Sequence, residues 1–243
     1  MSLAHARGTR HYYGYLDGMA TRGGQQRIPR PPSYRPGRPA PWGHIEPTAR
    51  KLGLDDVRAR LAALPPPTGA VPVVAGSRAA AVLVPLYEEG GEAHVILTKR
   101  PETMPSHQGE IAFPGGKFDP DLDADLRATA LREAYEEIGL DPDTVDVVAR
   151  LEGIATVASR FVITPFVGFL SGRPALSPNA REVVSVLDLP LSDLMADGVY
   201  REERWDTWKA DLDVHFYELT GETVWGATAR ILTGFLAHIV TAR

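Results

Sequence analysis

The sequence predicts an α/β layered domain, in which helices pack against a β-sheet. Two observations lead to this prediction: short β-rich segments follow one another from residue 79 onward, and two longer segments with helical periodicity are interleaved with them. The composition agrees, since 44% apolar and 23% charged residues in a chain of 243 are typical of a globular protein. The length corresponds to one or two domains.

The β-rich segments include one hairpin. Residues 79–87 and 93–98 are mostly apolar, and the sequence Glu88-Glu89-Gly90-Gly91 nearby is a turn signal. The hairpin is therefore expected to turn at the two glycines. Further strands are predicted over residues 145–151, 161–170, 183–187 and 214–219, and helices over residues 124–138 and 227–240.

A short helix is expected ahead of the sheet. Asp55 is the predicted N-cap, and the triple proline at residues 65–67 would end the helix. Val57, Leu61 and Leu64 then share one face, because residues three and four positions apart are neighbours on a helix. This face predicts that the helix packs as an accessory on the main body.

The N-terminal part of the chain differs in charge from the remainder. Residues 1–50 carry a formal charge of +6, which leaves −11 for residues 51–243. Six prolines fall between residues 21 and 42, and such a composition buries too little apolar surface to offset the chain entropy. We predict a basic Pro/Arg-rich arm over residues 1–44, flexible or extended, followed by one domain over residues 45–243. Nucleic-acid binding by the arm is less expected than a solvated tail or a strap on the acidic body.

Several classes of protein are excluded by simple counts. The longest apolar stretches, residues 79–86 and 231–240, are far shorter than the roughly 20 residues of a membrane-spanning helix. No N-terminal run suits a secretory signal, so the expected location is cytoplasmic. The absence of cysteine excludes disulfides, thiolate nucleophiles and cysteine zinc sites. The sequence also lacks the motifs of serine hydrolases, His-Glu-x-x-His zinc enzymes and Walker-type nucleotide loops.

The most informative segment is a predicted helix rich in carboxylates. Glu133, Glu136 and Glu137 fall on one side of it, because side chains at i, i+3 and i+4 are neighbours. Three like charges this close repel one another, which weakens the helix unless a cation binds there. All-oxygen ligands favour hard ions, so the sequence predicts Mg²⁺ or Mn²⁺ on this face. Arg132, four residues before Glu136, is placed to hold that carboxylate.

A glycine pair precedes this helix in the sequence Phe113-Pro114-Gly115-Gly116. Pairs of glutamates are common on solvated helices and do not by themselves indicate a site. Two glycines after an apolar strand, however, let the backbone bend sharply or approach a ligand closely. The helix that follows would present its carboxylates to the same region, so the combination predicts a functional site.

Together these residues resemble the Nudix box, whose pattern is Gly, five residues, Glu, seven residues, then Arg-Glu-apolar-x-Glu-Glu-x-Gly-apolar. Residues 132–140 match the second half in full. In the first half, two extra residues separate Gly116 from Arg132 and no Glu stands at the expected place, where Asp121 and Asp123 are the nearest acids. The resemblance implies a Nudix-type α/β/α sandwich with a mixed β-sheet.

A longer signature is similar to that of the coenzyme A pyrophosphatase branch of the Nudix hydrolases. It comprises Leu97-Thr98-x-Arg100, Gly109, and the glycine pair with its following acids, and residues 225–229 are similar to that branch too. Pro101 and Pro105 stand where the branch pattern has serine and a second arginine. The similarity extends over residues 79–239, about two thirds of the chain.

The resemblance implies a Mg²⁺- or Mn²⁺-dependent pyrophosphohydrolase that cleaves the diphosphate linkage of a nucleoside diphosphate derivative. The first expectation is coenzyme A or an acyl-CoA, giving adenosine 3′,5′-bisphosphate and 4′-phosphopantetheine. ADP-ribose, NADH or another nucleoside diphosphate derivative is the alternative substrate, and a catalytically inactive nucleotide-sensing module is the alternative function. The expected partner is a small nucleotide, and a homodimer is compatible with the apolar C-terminal helix.

The resemblance also implies roles for the helix residues. Glu133, Glu136 and Glu137 would be metal ligands with the Gly116 carbonyl, and Arg132 would orient the carboxylates. A general base must reach the attacking water, and it is either one of these glutamates or an acid from a distant loop. Glu182 is the leading candidate for the general base outside the helix. The alternative, equally expected, is that Glu182 is an exposed glutamate at the edge of a strand.

Cations close to the glycines are candidate contacts for the substrate phosphates. Lys99, Arg100 and Lys117 flank the glycine pair, whose backbone at Gly115 and Gly116 is also a candidate contact. Each cation could equally be an ordinary surface residue. His107 is a further candidate, with the stabilisation of its own loop as the alternative.

Overall fold

The computed structural model describes residues 22–62, 76–104, 107–156, 160–206 and 211–241. Within these ranges the chain forms two β-sheets, with helices on both faces of the larger one. The strands are β1 (Tyr34–Pro36), β2 (Arg78–Glu89), β3 (Glu92–Lys99), β4 (Ile111–Ala112), β5 (Gly115–Lys117), β6 (Val145–Arg150), β7 (Ile154–Ala155), β8 (Phe161–Leu170), β9 (Ser185–Pro190), β10 (Tyr200–Asp206), β11 (Asp211–Leu219) and β12 (Glu222–Trp225). The helices are α1 (Leu54–Ala62), α2 (Leu126–Ile138), α3 (Leu191–Leu194) and α4 (Gly226–Thr241).

The larger sheet is mixed. Its strand order is β4-β3-β2-β8-β6. In addition, β5 pairs with β2, β7 pairs with β8, and β9 pairs with β3. Strands β2 and β8 run parallel, and the other pairs are antiparallel. The predicted hairpin is confirmed as β2 and β3, and its turn has positive φ angles at Gly90 and Gly91.

Successive residues of β2 and β3 point to opposite faces of this sheet, as in any strand. Leu83 and Ile96 pack with Ala134 of α2 on one face. Leu97 belongs to the core on the other face, together with Phe235 of α4 and residues of α1. The predicted α/β class with a mixed sheet and helices on both faces is confirmed. Within the described ranges, no helix has the length and apolar character needed to cross a membrane.

The second sheet has the order β1-β10-β11-β12, and all its pairs are antiparallel. From the sequence, only β11 is predicted among these strands. Strand β10 reads Tyr-Arg-Glu-Glu-Arg-Trp-Asp and has no apolar run, so hydrophobic periodicity does not reveal it. Two of its acids, Glu202 and Glu203, are nevertheless buried. Arginines that are distant in the sequence form ion pairs with both acids, and the adjacent Arg201 also pairs with Glu203.

The described part of the predicted arm, residues 22–44, lies on this second sheet as a strap. Strand β1 pairs with β10, with Tyr34 opposite Trp205. The strap arginines form ion pairs with acids of the sheet: Arg30 with Glu203, Arg35 with Asp206 and Asp211, and Arg38 with Glu202 and Asp213. Trp42 falls inside the predicted arm, yet its side chain is 1% exposed and packs against Tyr200 and Tyr217. Trp42 therefore belongs to the core of the domain.

Helix α1 forms as predicted, but Asp55 is not its N-cap. The helix begins at Leu54, which places Asp55 in the first turn. The Leu54 N–H donates instead to Glu88 Oε2 at 2.8 Å, so an acid of β2 satisfies the helix end. Val57 and Leu61 are buried, whereas Leu64 and the triple proline lie outside the described residues.

Candidate active site

The carboxylate-bearing helix is α2, and local signals define both of its ends. Asp125 Oδ1 accepts a hydrogen bond from the Ala128 N–H at 2.8 Å, which caps the N-terminus. At the C-terminus Gly139 adopts a left-handed conformation with φ 67°, and its N–H donates to Tyr135 O at 2.9 Å. The helix packs against β2, β5 and β8, which brings its glutamates beside the glycine pair.

The glycine pair of β5 lies directly against two of these glutamates. The Gly115 N–H donates to Glu137 Oε2 at 3.2 Å. A Cβ atom on Gly115 would lie 2.4 Å from Ala81 O, and one on Gly116 would lie 2.4 Å from Glu133 Oε2. Glycine is therefore required at position 115, where the obstacle is backbone, whereas at position 116 a Cβ would displace the end of the Glu133 side chain. The predicted proximity of bend and carboxylates is observed.

Glu137 is deeply buried, with 5% of its side chain exposed. Burial raises the pKa of Glu137 to about 8, and repulsion from Glu133 and Glu182 acts in the same direction. Two contacts oppose this rise in pKa: the Gly115 N–H and the guanidinium of Arg100, whose Nη1 lies 3.7 Å from Glu137 Oε1. The charged form of Glu137 is thus only partly stabilised by these two contacts.

Arg132 holds the other two glutamates of the helix. Its guanidinium lies 2.9 Å from Glu133 Oε1 and 3.1 Å from Glu136 Oε2, so the predicted pair with Glu136 forms. Burial raises the pKa of Glu133, and the contact with Arg132 opposes that rise. Across the described ranges, no three acidic or histidine side chains are arranged as a ready metal cluster. Glu133 and Glu136 instead form ion pairs with Arg132.

Asp123 is a site residue for which the sequence predicts no role. It is buried and accepts hydrogen bonds from Arg132 Nε at 2.7 Å and from Thr129 Oγ1 at 2.9 Å. The bond from Arg132 is the main reason why the pKa of Asp123 falls to about 2. Counting forward from Gly116 places the acid of the Nudix box at position 122, and counting back from Arg132 places it at 124. Asp123 lies between them, which is the signal that could have identified it.

Glu182 reaches the site on the loop between β8 and β9. The N–H groups of Ser177 and Asn179 donate to the carbonyls of Ile138 and Glu137 at 2.8 and 2.9 Å, which ties the loop to the end of α2. The Glu182 N–H donates to Asn179 O at 2.9 Å, and this turn delays the start of β9 from the predicted residue 183 to Ser185. Burial is the main cause of the raised pKa of Glu133 and of Glu137, and the charge of Glu182 adds to it, so Glu182 lies within electrostatic reach of both.

Two of the predicted phosphate contacts, Arg100 and Lys99, are adjacent in the sequence, but their side chains lie on opposite faces of the sheet. Arg100 extends toward Glu137 on the α2 side of the sheet. Lys99 follows the alternation of β3 and points to the opposite face, where its Nζ forms an ion pair with the buried Glu222 of β12. The structure therefore brings Arg100, but not Lys99, to the glutamates.

The remaining predicted contacts are Lys117, at the end of β5, and His107, in the loop between β3 and β4. The Lys117 side chain is exposed, and its carbonyl accepts a hydrogen bond from Arg132 Nη2 at 3.4 Å. His107 Nδ1 lies 2.8 Å from Glu110 Oε2, and this contact raises the pKa of His107. His107 is thus paired within its own loop, in agreement with the alternative interpretation of that residue.

A mixed-sheet α/β sandwich in which a glycine bend lies against an acidic helix defines a Nudix-type domain. The NUDIX domain family matches residues 77–205, more than half of the chain. This range contains the glycine pair, helix α2 and Glu182. The chain belongs to the Nudix family.

Three relatives illustrate its similarity to known proteins. Nudix hydrolase 22, chloroplastic, of Arabidopsis thaliana is 45% identical over 168 residues, covering 66% of this chain and 55% of the relative. Peroxisomal coenzyme A diphosphatase NUDT7 of Mus musculus is 38% identical over 178 residues, covering 73% of each chain. An uncharacterized Nudix hydrolase NudL of Cronobacter sakazakii is 36% identical over 165 residues, covering 64% of this chain and 79% of the relative.

The names of these relatives bear on two predictions. All three are named as hydrolases or as a diphosphatase, which supports the expectation of an enzyme. The chain spans about half the length of the Arabidopsis thaliana relative, which is 55% covered. The mouse and plant relatives are named for peroxisome and chloroplast, so a cytoplasmic location stays a prediction.

Proposed function

We propose that this protein is a Mg²⁺- or Mn²⁺-dependent pyrophosphohydrolase whose preferred substrate is coenzyme A or an acyl-CoA. The products are adenosine 3′,5′-bisphosphate and 4′-phosphopantetheine. The observation that carries the reaction is the contact of Glu133 and Glu137 with the Gly115–Gly116 bend, where burial disfavours the charged form of both glutamates. The choice of substrate is supported by the 38% identity to the mouse relative named as a coenzyme A diphosphatase.

The donor atoms around the bend fit a hard divalent cation. They are all oxygens, from Glu137, the Gly116 carbonyl, and Glu133 and Glu136 once Arg132 releases them. Burial, together with repulsion from Glu182, disfavours the charged forms of Glu133 and Glu137, and a bound cation would offset both effects. When bound, Mg²⁺ or Mn²⁺ neutralises the diphosphate oxygens and lowers the pKa of a bound water.

The side chains of the protein itself orient the site and move the proton. Asp123 fixes Arg132, and Arg132 in turn orients Glu133 and Glu136. Glu182 is the proposed general base, because its turn is hydrogen-bonded to the end of α2 and its charge reaches both Glu133 and Glu137.

Arg100 and Lys117 are the proposed contacts for the substrate phosphates. A guanidinium suits this task because its planar donors match phosphate oxygens, whereas an ammonium acts as a point charge. Lys99 is left out of this role because its Nζ is held by Glu222 on the other face of the sheet. His107 is left out because Glu110 engages it within its own loop.

The test is a substrate panel with product identification. The purified protein is incubated with coenzyme A, acetyl-CoA, ADP-ribose and NADH in the presence of Mg²⁺ or Mn²⁺, and the products are identified by mass spectrometry. We expect adenosine 3′,5′-bisphosphate from coenzyme A, and no turnover in a parallel sample containing excess chelator. Faster cleavage of ADP-ribose or NADH would change the proposed substrate but leave the proposed pyrophosphohydrolase reaction standing. Tight nucleotide binding without turnover under either metal would instead favour a nucleotide-sensing module.

A further inference from the structure

Arg100 occupies an unusual position at the end of β3. Its backbone N–H donates to Glu110 O at 3.0 Å, which anchors the residue. Its side chain is 23% exposed, and its Nε is buried with no hydrogen-bond partner among the described residues. A buried donor without a partner costs free energy, so it indicates that the side chain has another binding partner in a different state of the site.

The contact between Arg100 and Glu137 is also a loose one. The distance of 3.7 Å between Nη1 and Oε1 is an ion-pair distance, but it is longer than the usual 2.7–2.9 Å of a charge-assisted hydrogen bond. By comparison, Arg132 approaches Asp123 to 2.7 Å and Glu133 to 2.9 Å. Arg100 is thus held weakly by the carboxylate that it partly compensates.

We propose that Arg100 is the exchangeable counter-charge of Glu137, which it holds in the metal-free protein and gives up for a substrate phosphate when a divalent cation binds. This inference rests on the proposed function, which supplies the cation. Two positive charges beside one carboxylate repel each other, so Arg100 and the cation compete for Glu137. The released guanidinium then turns its planar donors to the diphosphate. The site consequently acquires its phosphate-binding arginine only after the metal has been loaded.

The charge-removing variant Arg100→Gln separates this role from a structural one. In this variant Mn²⁺ should bind about tenfold more tightly, because a competing positive charge is removed from the partly buried site. The KM for coenzyme A should rise about tenfold, because a charged contact to a phosphate is lost. A merely structural role would weaken both kinds of binding together.

Two further variants serve as matched controls. Arg100→Lys keeps the positive charge, so its Mn²⁺ affinity should stay within about twofold of the wild type. Arg127→Gln removes one charge from the same helix as Glu137, but ten residues away and so about 15 Å along the helix axis. Its Mn²⁺ affinity and its KM should both match the wild type.

The measurement is a titration with Mn²⁺ alone, without nucleotide, followed by the electron paramagnetic resonance signal of free Mn²⁺. Tighter binding by Arg100→Gln, with a higher KM, supports the exchange. An affinity equal to or weaker than that of the wild type overturns it while leaving the proposed function intact. A wild type that binds no Mn²⁺ overturns the proposed function itself. If Arg100→Gln does not fold, the Arg100 Nε–H resonance of the wild type is followed during Mg²⁺ addition, and an unchanged resonance overturns the exchange.

Discussion

Arg132 Nε donates to Asp123 Oδ1 at 2.7 Å, and this bond connects the loop after the glycine bend to the helix that carries the glutamates. Asp123 is buried, and Thr129 Oγ1 donates a second bond to it at 2.9 Å. The same guanidinium contacts Glu133 and Glu136. A residue in the inserted loop therefore determines where two of the site carboxylates lie.

The first prediction concerns Asp123→Asn, which removes the charge but keeps the shape. In the folded protein the pKa of Asp123 is about 2, below its ordinary value of 3.8. Its stabilising effect is therefore complete above about pH 3.8 and is lost as the pH falls through about 2. We expect the variant to lose about 2 kcal/mol of unfolding free energy at pH 7 and clearly less at pH 2.5, measured by urea denaturation.

A matched control for this prediction is available in the same loop. Asp121 is exposed, and Asp121→Asn should change the unfolding free energy by less than about 0.5 kcal/mol. An equal loss for Asp123→Asn at both pH values would show that its effect does not come from the charge.

The second prediction concerns Glu137→Gln. Turnover should fall by about a thousandfold, because the variant removes a proposed metal ligand. The free energy of unfolding of the metal-free variant should not decrease, since burial already disfavours the charged form of Glu137 and the amide is neutral. Glu89→Gln, at the far end of β2, is the control for loss of one carboxylate and should keep wild-type turnover. Near-normal turnover in Glu137→Gln would refute the assignment of this residue.

The third prediction concerns Gly116→Ala. The added Cβ would lie 2.4 Å from Glu133 Oε2, and the carboxylate must move away. Because the obstacle is the end of a side chain, we expect a loss of stability below about 1 kcal/mol together with a fall in kcat of at least about tenfold. Gly172→Ala, where a Cβ would meet nothing within 4 Å, should change neither quantity. Unchanged kcat in Gly116→Ala would mean that the position of Glu133 is unimportant.

The fourth prediction concerns Glu182→Gln. If Glu182 takes the proton from the attacking water, kcat should fall by about a hundredfold while the KM for coenzyme A stays close to that of the wild type. The thermal unfolding midpoint should stay close to that of the wild type, because Glu182 is only half-buried and its turn is held by backbone bonds. A variant that changes KM alone would assign Glu182 to substrate binding.

Elements with local signals are predictable from the sequence. The hairpin of β2 and β3 follows from its two glycines, and α2 follows from its periodicity and from Gly139. Strand β10 does not, because the burial of Glu202 depends on Arg38, which is far away in the sequence. Local patterns contain no information about such a partner.

The same distinction applies to the candidate site. The spacing of Glu133, Glu136 and Glu137 on one helix is a local property, and it predicts their clustering. The approach of Glu182 depends on the tertiary hydrogen bonds of its loop, so the sequence alone left it as one of two interpretations. The exclusion of Lys99 from the site could have been predicted from the sequence, because adjacent residues of a strand, here Lys99 and Arg100, point to opposite faces of the sheet.

The location of a bound metal ion tests the proposed site most directly. A crystal grown with Mn²⁺ and measured near the manganese absorption edge gives an anomalous difference map of the ion. We predict one peak beside the glycine bend, roughly 2.0–2.3 Å from carboxylate oxygens of Glu133 and Glu137. A peak bound by other residues, or no peak in crystals soaked at saturating Mn²⁺, would contradict the assignment of these glutamates as the metal site.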